Sequence, residues 1–343
     1  MNKKRLKAIS EFEFWPMWLF YLPAVLYSFI LVIRSGFRIV YFSATNPGMK
    51  FGGAFHLSKH SYSDFIPEKY RPQTFFVDSG LSPEKALKSI DQCRFPLPFI
   101  VKPDVGERGI GVELIRSKKE LVEYIYTHQH SPLLIQEYID YPLEYGVFYY
   151  RMPGTENPVI SSITSKEFFY AEGDGRQTLA ELLSNNRRIN HRKDYLQQRF
   201  ADKWNSVLPK GEKLLIEPVG NHNRGTIFRN SNYLVCDEIA NTFDQIARSY
   251  PGFYYGRFDV KVHTPSDLKS GNNMKIIEIN GVNSEPTHIY DPEYNLRQAY
   301  RDVFRHMNII FEISRRNRRN GAKTDSAWRF AIAGLKHTRS RQH

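Results

Sequence analysis

The chain has 343 residues, 41 % hydrophobic and 24 % charged, which is enough for a buried core and excludes wholesale disorder. Its two cysteines, Cys93 and Cys236, exclude a disulfide scaffold, no CxxC or Cys/His ligand spacing occurs, and both read as buried thiols in a reducing compartment. The net charge of +12 sits at the ends: Lys3, Lys4, Arg5 and Lys7 open the chain, and beyond Ser314 nine basic side chains stand against one acid, Asp325. Residues 11–313 are therefore balanced, which argues against a nucleic-acid-binding body. Two basic ends fit an anionic surface such as an inner membrane leaflet, with solvated, frayed termini as the plain alternative.

Residues 14–33, FWPMWLFYLPAVLYSFILVI, carry no charge over a length that spans a bilayer core. Pro16 and Pro23 interrupt the run, and Trp15, Trp18, Phe20 and Tyr21 crowd its first half, as in a segment lying at the interface. Packing on the body or on a second copy of the chain is the alternative. No cleavage site for a secretory signal follows. A glycine-rich stretch over 46–59 comes next, then a short helix, a turn at Pro67 and a strand at 73–77. Ser82-Pro83 opens a helix over 82–92. Phe99-Ile100-Val101 reads as a buried strand, followed by the loop Lys102–Val112, a helix over 117–127 and a strand over 132–137. That order describes a small antiparallel lobe. Residues 145–150 and 159–164 pair as a hairpin, and Gly173-Asp174-Gly175 is a turn. Helices follow over 177–186, 191–204, 237–249 and 295–313, and strands over 213–219, 226–229, 254–263 and 274–280. The class is α+β, with antiparallel sheets and interleaved helices.

Two constellations carry chemistry. The loop Gly106–Gly111 holds three glycines, with Lys102 before it and Arg108 inside it, a composition that brings backbone N–H groups to phosphate oxygens or simply makes a hairpin turn. No Gly-Lys-Ser/Thr follows, so it is not a Walker A loop. Farther on, Arg257 and Asp259 alternate along YGRFDVKV, and Glu278 and Asn280 along IIEIN. Alternation puts each pair on one strand face, where Asp, Glu and Asn oxygens suit Mg²⁺. A cross-strand ion pair of Arg257 with one of the acids is the structural alternative. Phe258, Val260, Ile277 and Ile279 place the opposite faces in a core.

Together these segments resemble the ATP-grasp superfamily, in particular its carboxylate–amine ligases, from about Ser58 to Ile313. The resemblance implies two α/β lobes that sandwich ATP. LSKHSYSDFIPEKYRPQTFFV is similar to the entry segment and places Lys59 on the nucleotide phosphates. FPLPFIVKPDVGERGIGV is similar to the lysine strand and phosphate-covering loop, with Lys102, Gly106, Arg108 and Gly109 on the nucleotide. LLIQEYIDYPLEYGV resembles the adenine hinge, which puts Gln136, Glu137, Tyr138 and Ile139 at the base and Glu144 at the ribose, with spacing one residue longer than in D-alanine–D-alanine ligases. Lys166 falls at a further phosphate-contacting position. GRFDV and IIEIN match the strongest motifs, so that Asp259, Glu278 and Asn280 hold Mg²⁺, with Mn²⁺ as an alternative, and Arg257 steadies charge on the reacting acyl group. GDGRQTLAELLSNNRRIN and LPKGEKLLIEPVGNHNRG are similar to the amide-ligase half of cyanophycin synthetases and point at Asn221 and Arg224. The loop NGVNSEPTHIYDP lacks the usual Pro-Gly, so the acceptor's identity does not transfer, and His288 stands as a base or as a loop histidine bound to backbone.

Many such ligases carry an α/β domain of roughly a hundred residues before the entry lysine. Here a hydrophobic segment with its glycine loop (1–57) precedes the ATP-grasp region (58–313, small lobe about 95–140), and a basic tail (314–343) follows. The expectation is an ADP-forming ligase that activates a carboxylate as an acyl phosphate and joins it to an amine. Its substrates would be small molecules or lipid-linked envelope precursors. The body would be cytoplasmic and peripheral to or anchored in the inner membrane, with no nucleic-acid partner, and a homodimer is compatible. A phosphotransferase on the same fold and a non-catalytic nucleotide-binding membrane protein are the competing readings.

Overall fold

A computed structural model describes residues 12–55, 58–91, 96–106, 109–128, 131–184, 189 and 192–340. Lys3, Lys4, Arg5, Lys7, Cys93, Arg108 and Arg341 lie outside them. Cys236 is only half-buried, at the entry to helix Asp237–Arg248, where a core site had been expected.

Strand alternation sorts side chains between two cores and one cleft. In the smaller sheet, β1 (Thr74–Val77), β2 (Phe99–Pro103), β3 (Glu113–Ile115) and β4 (Leu133–Glu137) run antiparallel in the order β1-β4-β2-β3. Phe99, Val101, Leu133 and Ile135 face helices Pro83–Ile90 and Lys118–Thr127 and close a core with Ala86, Ile90, Leu121 and Ile125. Ser82 and Ser117 cap these helices by accepting from the N–H groups of Lys85 and Glu120. The alternate residues Ile100, Lys102 and Gln136 face the cleft.

The larger sheet consists of β5 (Leu143–Arg151), β6 (Pro158–Glu167), β9 (Ile227–Asn230), β10 (Tyr255–Val262) and β11 (Met274–Asn280). Its order is β11-β10-β5-β6-β9, and β7 (Tyr170–Glu172) pairs with β8 (Lys213–Leu215) in a separate ribbon. Tyr145, Val147, Tyr149, Phe258 and Val260 pack on Ile239, Phe243 and Ile246 of helix Asp237–Arg248. The opposite face changes character along the strands. Phe148 and Tyr255 lie under Ile309 and Ile313 of helix Leu296–Arg319, whereas Glu144, Arg257 and Asp259 open into the cleft.

The expected order of elements holds through the body, with three shortened members. Helices Leu179–Ser184 and Lys193–Arg199 are shorter than expected, and β8 stops at Leu215. Just beyond it, Glu217 turns inward to ion pairs with Arg192 and Arg224.

The ends depart further. Helix Leu296–Arg319, started by an Asn295–Gln298 capping box, runs through the expected boundary at 313/314. The tail is not frayed over its described length. Asp325 accepts from the Phe51 N–H, and Phe330 of helix Ala327–Ser340 packs on Phe42, Phe51 and Phe55. The apolar segment is not one helix: Pro16 precedes helix Met17–Phe20, and Pro23 sits in the first turn of helix Leu22–Arg34. Among the described residues no helix is long and apolar enough to cross a membrane. The inner side of the segment packs on the body instead, with Phe20 and Ala24 against Tyr290 and Val303, and Leu31 against Phe311.

Asn46 anchors this addition to the larger sheet. Its buried amide donates to the carbonyls of Gly52 (3.1 Å) and Tyr255 (2.8 Å) and accepts from the N–H groups of Tyr254 (2.9 Å) and Tyr255 (3.0 Å). Asn46→Ala leaves these buried backbone groups unsatisfied and is expected to cost about 2–4 kcal/mol. Urea unfolding should show a lower midpoint at unchanged slope.

Candidate active site

The two sheets face each other across a cleft of about 470 Å³. From the small lobe, Lys59 enters at the start of helix Lys59–Ser63, which Ser58 caps. Its Nζ donates to the carbonyls of Pro103 (3.5 Å), Asp104 (3.4 Å) and Gly106 (2.9 Å), and the His60 N–H donates to Asp104 Oδ1 (2.8 Å). The entry segment is thereby tied to the loop after β2. Lys102 Nζ donates to Gln136 Oε1 (2.9 Å) and across the cleft to the Ile277 carbonyl (3.4 Å). Burial and the positive charge of Lys59 lower the Lys102 pKa from 10.5 to about 8.

The Ile277 carbonyl is reachable because the β10–β11 register shifts between Asp259 and Val260, with Asp259 opposite Glu278 and Val260 opposite Ile276. Ile277 is the extra residue of this bulge, and it lines the cleft although alternation had assigned it to the core. Phe258, Val260 and Ile279 are buried as expected.

The larger sheet supplies the charges. Arg257, Asp259 and Lys261 alternate along β10 and all reach the cleft. Arg257 Nε and Nη2 donate to Asp259 Oδ1 (2.7 Å) and Oδ2 (3.2 Å), and Nη1 donates to the Glu285 carbonyl (3.1 Å). Lys166 Nζ bridges Glu144 Oε1 (2.7 Å) and Asp259 Oδ2 (3.2 Å). Burial disfavours the charges of Lys166 and Arg257, but the Asp259 carboxylate, joined at Lys166 by Glu144, outweighs it and holds both pKa values above the ordinary range. At Asp259 burial is likewise overcome, by Arg257 and then Lys166, and its carboxyl lies below the usual range. The ion pair that Arg257 makes is therefore not the cross-strand one expected as the alternative, because its partner, Asp259, lies on the same strand.

Glu278 and Asn280 stand opposite Asp259 and Arg257 in the β10–β11 register and also line the cleft. Glu278 Oε1 is 4.0 Å from Lys59 Nζ. Among the described residues there is no cluster of three or more His, Cys, Asp or Glu side chains arranged for a metal. The donor set here is two carboxylates and an amide, and Asn280 Nδ2 is buried without a hydrogen-bond partner. An amide orphaned beside two carboxylates suits a bound polar or ionic group, because the two amide atoms exchange by a flip. The set therefore fits a hard divalent cation.

The remaining expected residues fall in three places. Gly106, Gly109, Asn221 and the hinge Gln136–Ile139 line the cleft. Arg224 does not; it donates to the Gly109 carbonyl (2.7 Å) and pairs with Glu217, so it braces the glycine loop from behind. His288 is buried outside the cleft lining, with Nε2 3.1 Å from Asp302 Oδ2, which gives it a structural position and not that of a base.

Three features escaped the sequence reading. Lys261 Nζ donates to the Ile139 carbonyl (2.9 Å) and fixes the hinge; its alternation with Arg257 and Asp259 was the available signal. Gly220 passes so near Glu144 that a Cβ would lie 2.6 Å from Oε1, a contact that sequence does not encode locally. Phe12, Trp15 and Phe20 of the N-terminal segment, with Tyr290, form an aromatic wall of the cleft.

The Tubulin-tyrosine ligase family matches residues 63–146, which hold the smaller sheet and the start of β5. No curated protein matches the chain by sequence. Among solved structures, a D-alanine–D-alanine ligase from Bacillus anthracis complexed with ATP is 14 % identical, with a TM-score of 0.40, over 79 % of this chain and 69 % of that one. The VanG D-Ala:D-Ser ligase from Enterococcus faecalis is 12 % identical, with a TM-score of 0.41, over 75 % and 64 %. A bifunctional glutathione synthetase from Pasteurella multocida is 13 % identical, with a TM-score of 0.38, over 76 % of this chain but only 38 % of its own length. The mixed α/β fold, with antiparallel sheets on either side of a cleft, is the architecture that the ATP-grasp resemblance of the sequence implies.

The position of Lys102 sets a pH dependence. Its ammonium attracts a polyanion, so a bound polyanion raises its pKa and binding takes up a proton. Tripolyphosphate affinity should be full below about pH 8 and fall by up to about ten-fold per pH unit above it. Calorimetry across this range should show the slope in the native protein and lose it in Lys102→Gln.

Proposed function

We propose that the chain is an ATP-dependent, ADP-forming ligase that activates a carboxylate as an acyl phosphate and joins it to an amine. The observation that carries this reading is the convergence, in one cleft, of Lys59, Lys102, Lys166 and Arg257 with Asp259, Glu278 and Asn280. Four cations beside an oxygen-donor set match a polyphosphate and its counter-ion better than they match an acyl or glycosyl substrate alone.

A carboxylate is a poor electrophile at neutral pH, and transfer of the γ-phosphoryl group converts it to an acyl phosphate whose leaving group is phosphate. Catalysis here is positioning and charge neutralisation. Lys59 and Lys102 hold phosphate oxygens from the small lobe, and Lys166 does so from β6. Gln136 and the Glu137–Ile139 backbone take the base, and Glu144 faces the ribose. Mg²⁺, or Mn²⁺, held by Asp259, Glu278 and Asn280, would offset phosphate charge. The Arg257 guanidinium, fixed in orientation by Asp259, stabilises the oxyanion when the amine attacks. Closing the small lobe on the larger sheet excludes water, which would otherwise hydrolyse the acyl phosphate.

The aromatic wall of Phe12, Trp15, Phe20 and Tyr290 bears on the substrate. An apolar wall beside a polyphosphate site suits a reactant with an apolar portion, such as a lipid-linked envelope precursor.

The test is Mg²⁺-dependent ADP release with pooled amino acids, sugar acids and membrane extract. Release should require the pool and fall at least about a hundred-fold in Glu278→Ala. Mass spectrometry of the product should show an amide. A phosphate ester would move the assignment to phosphotransfer, and a protein that binds no ATP would overturn it.

A further inference from the structure

Helix Leu22–Arg34 has two faces. Ala24, Tyr27 and Leu31 turn inward, and Tyr27 Oη donates to Asn308 Oδ1 (2.9 Å). Leu22, Val25, Leu26, Phe29, Ile30 and Ile33 turn outward and are 48–61 % exposed. Their i, i+3, i+4, i+7 spacing makes one continuous apolar stripe. The stripe continues past the helix end into Phe37, which is 76 % exposed and held at φ 59°, a strained conformation for a bulky side chain. A chain that maintains such strain to hold a phenyl ring in solvent gains nothing from it in isolation.

Beside this stripe lies a recess of about 500 Å³ lined by Arg38, Arg315, Arg318, Arg319 and Lys323. Arg315 pairs with Glu312. Among the described residues no carboxylate lies within ion-pair distance of Arg38, Arg318, Arg319 or Lys323. Arg318 Nε is buried without a hydrogen-bond partner, and burial together with the charge of Arg38 lowers the Arg318 pKa. Four uncompensated cations in one recess form a site for an anion.

We propose that this surface docks on an anionic phospholipid bilayer, with the helix stripe and Phe37 in the acyl boundary and the recess on a lipid phosphate. A helix with an apolar outer stripe, flanked by arginines and lying flat on the body, has the form of an interfacial helix, too short to span. Charge complementarity selects this occupant over a second copy of the chain. A two-fold interface through this patch would bring the two cationic recesses together. The surface is also continuous with the cleft, since Met17 and Phe20, one turn before the stripe, line it. The proposal does not depend on the activity assigned to the cleft.

Flotation of the full chain with phosphatidylcholine vesicles, with and without a one-third share of phosphatidylglycerol, tests it. Binding to the anionic vesicles should exceed binding to the neutral ones by at least about ten-fold and weaken with salt. Leu26→Glu/Phe29→Glu should abolish it. Arg319→Glu/Lys323→Glu should cut anionic binding at least about ten-fold and leave the weak neutral binding in place. All four side chains are exposed, so these variants fold, and an unchanged thermal unfolding midpoint serves as the check. Equal binding to both vesicles, or no binding to either, would overturn the proposal. So would sedimentation showing that Leu26→Glu/Phe29→Glu splits a dimer, which would make the stripe a contact between copies of the chain.

Discussion

The Lys166 ammonium, held between Glu144 and Asp259, is the interaction on which the cleft depends. All three groups are buried. A buried charge without a partner is so costly that it would be neutralised or expelled, so each group requires the other two. That requirement fixes the registers of β6, β5 and β10, which bring the three to one point. It also constrains Gly220, whose missing side chain leaves room for Glu144, and Gly146, beside which Arg257 and Asp259 lie. Arg257 completes the set, so the larger sheet presents a charge array already assembled before a ligand arrives.

The small lobe is built differently. Lys59 and Lys102 are held by carbonyl oxygens and by Gln136, with Glu278 only at the edge of ion-pair range of Lys59. Two neighbouring ammonium groups with neutral partners repel each other, and Lys102 titrates near 8 for that reason as well as for burial. One wall of the cleft is therefore electrostatically satisfied and the other is not. A polyanion between them supplies what the small lobe lacks. On the proposed function, that difference in charge gives the small lobe a physical reason to draw in a phosphate chain.

Much of this was legible in the sequence because strand alternation is local. Arg257 with Asp259, and Glu278 with Asn280, follow from period two, and the helix starts at Ser82 and Ser117 follow from capping chemistry. What was not legible depends on contacts far apart in the chain. The Ile277 bulge reverses one side chain and exposes one carbonyl, and no residue type announces it. Arg224 had been placed on the ligand, but its geometry is set by Glu217 and the Gly109 carbonyl. The basic tail read as a separate stretch from Ser314, suited to an anionic surface or simply frayed, whereas helix Leu296–Arg319 continues into it, because Ser314 and Asn317 find the carbonyls of Tyr41, Ala44 and Thr45. In the N-terminal segment, hydropathy showed that the side chains were apolar but could not divide them between two faces.

That division explains how so short an addition is held to the body. A separate folded domain would need its own core. This segment borrows one: its inner side chains complete a cluster with Tyr290, Ala299 and Val303, and Asn46 bonds it to β10. Once the inner side is anchored on the body, no second layer is required to hold the helix, and the outer side is free of any packing duty. The side chains there are nonetheless large and apolar. Solvent exposure alone would favour polar residues at those positions, since polar substitution costs no buried contact. Phe12, Trp15 and Phe20 meanwhile wall the cleft from the same stretch of chain. One segment therefore forms part of the cleft wall and, within a few residues, part of the outer surface, the two meeting at the helix junction at Tyr21.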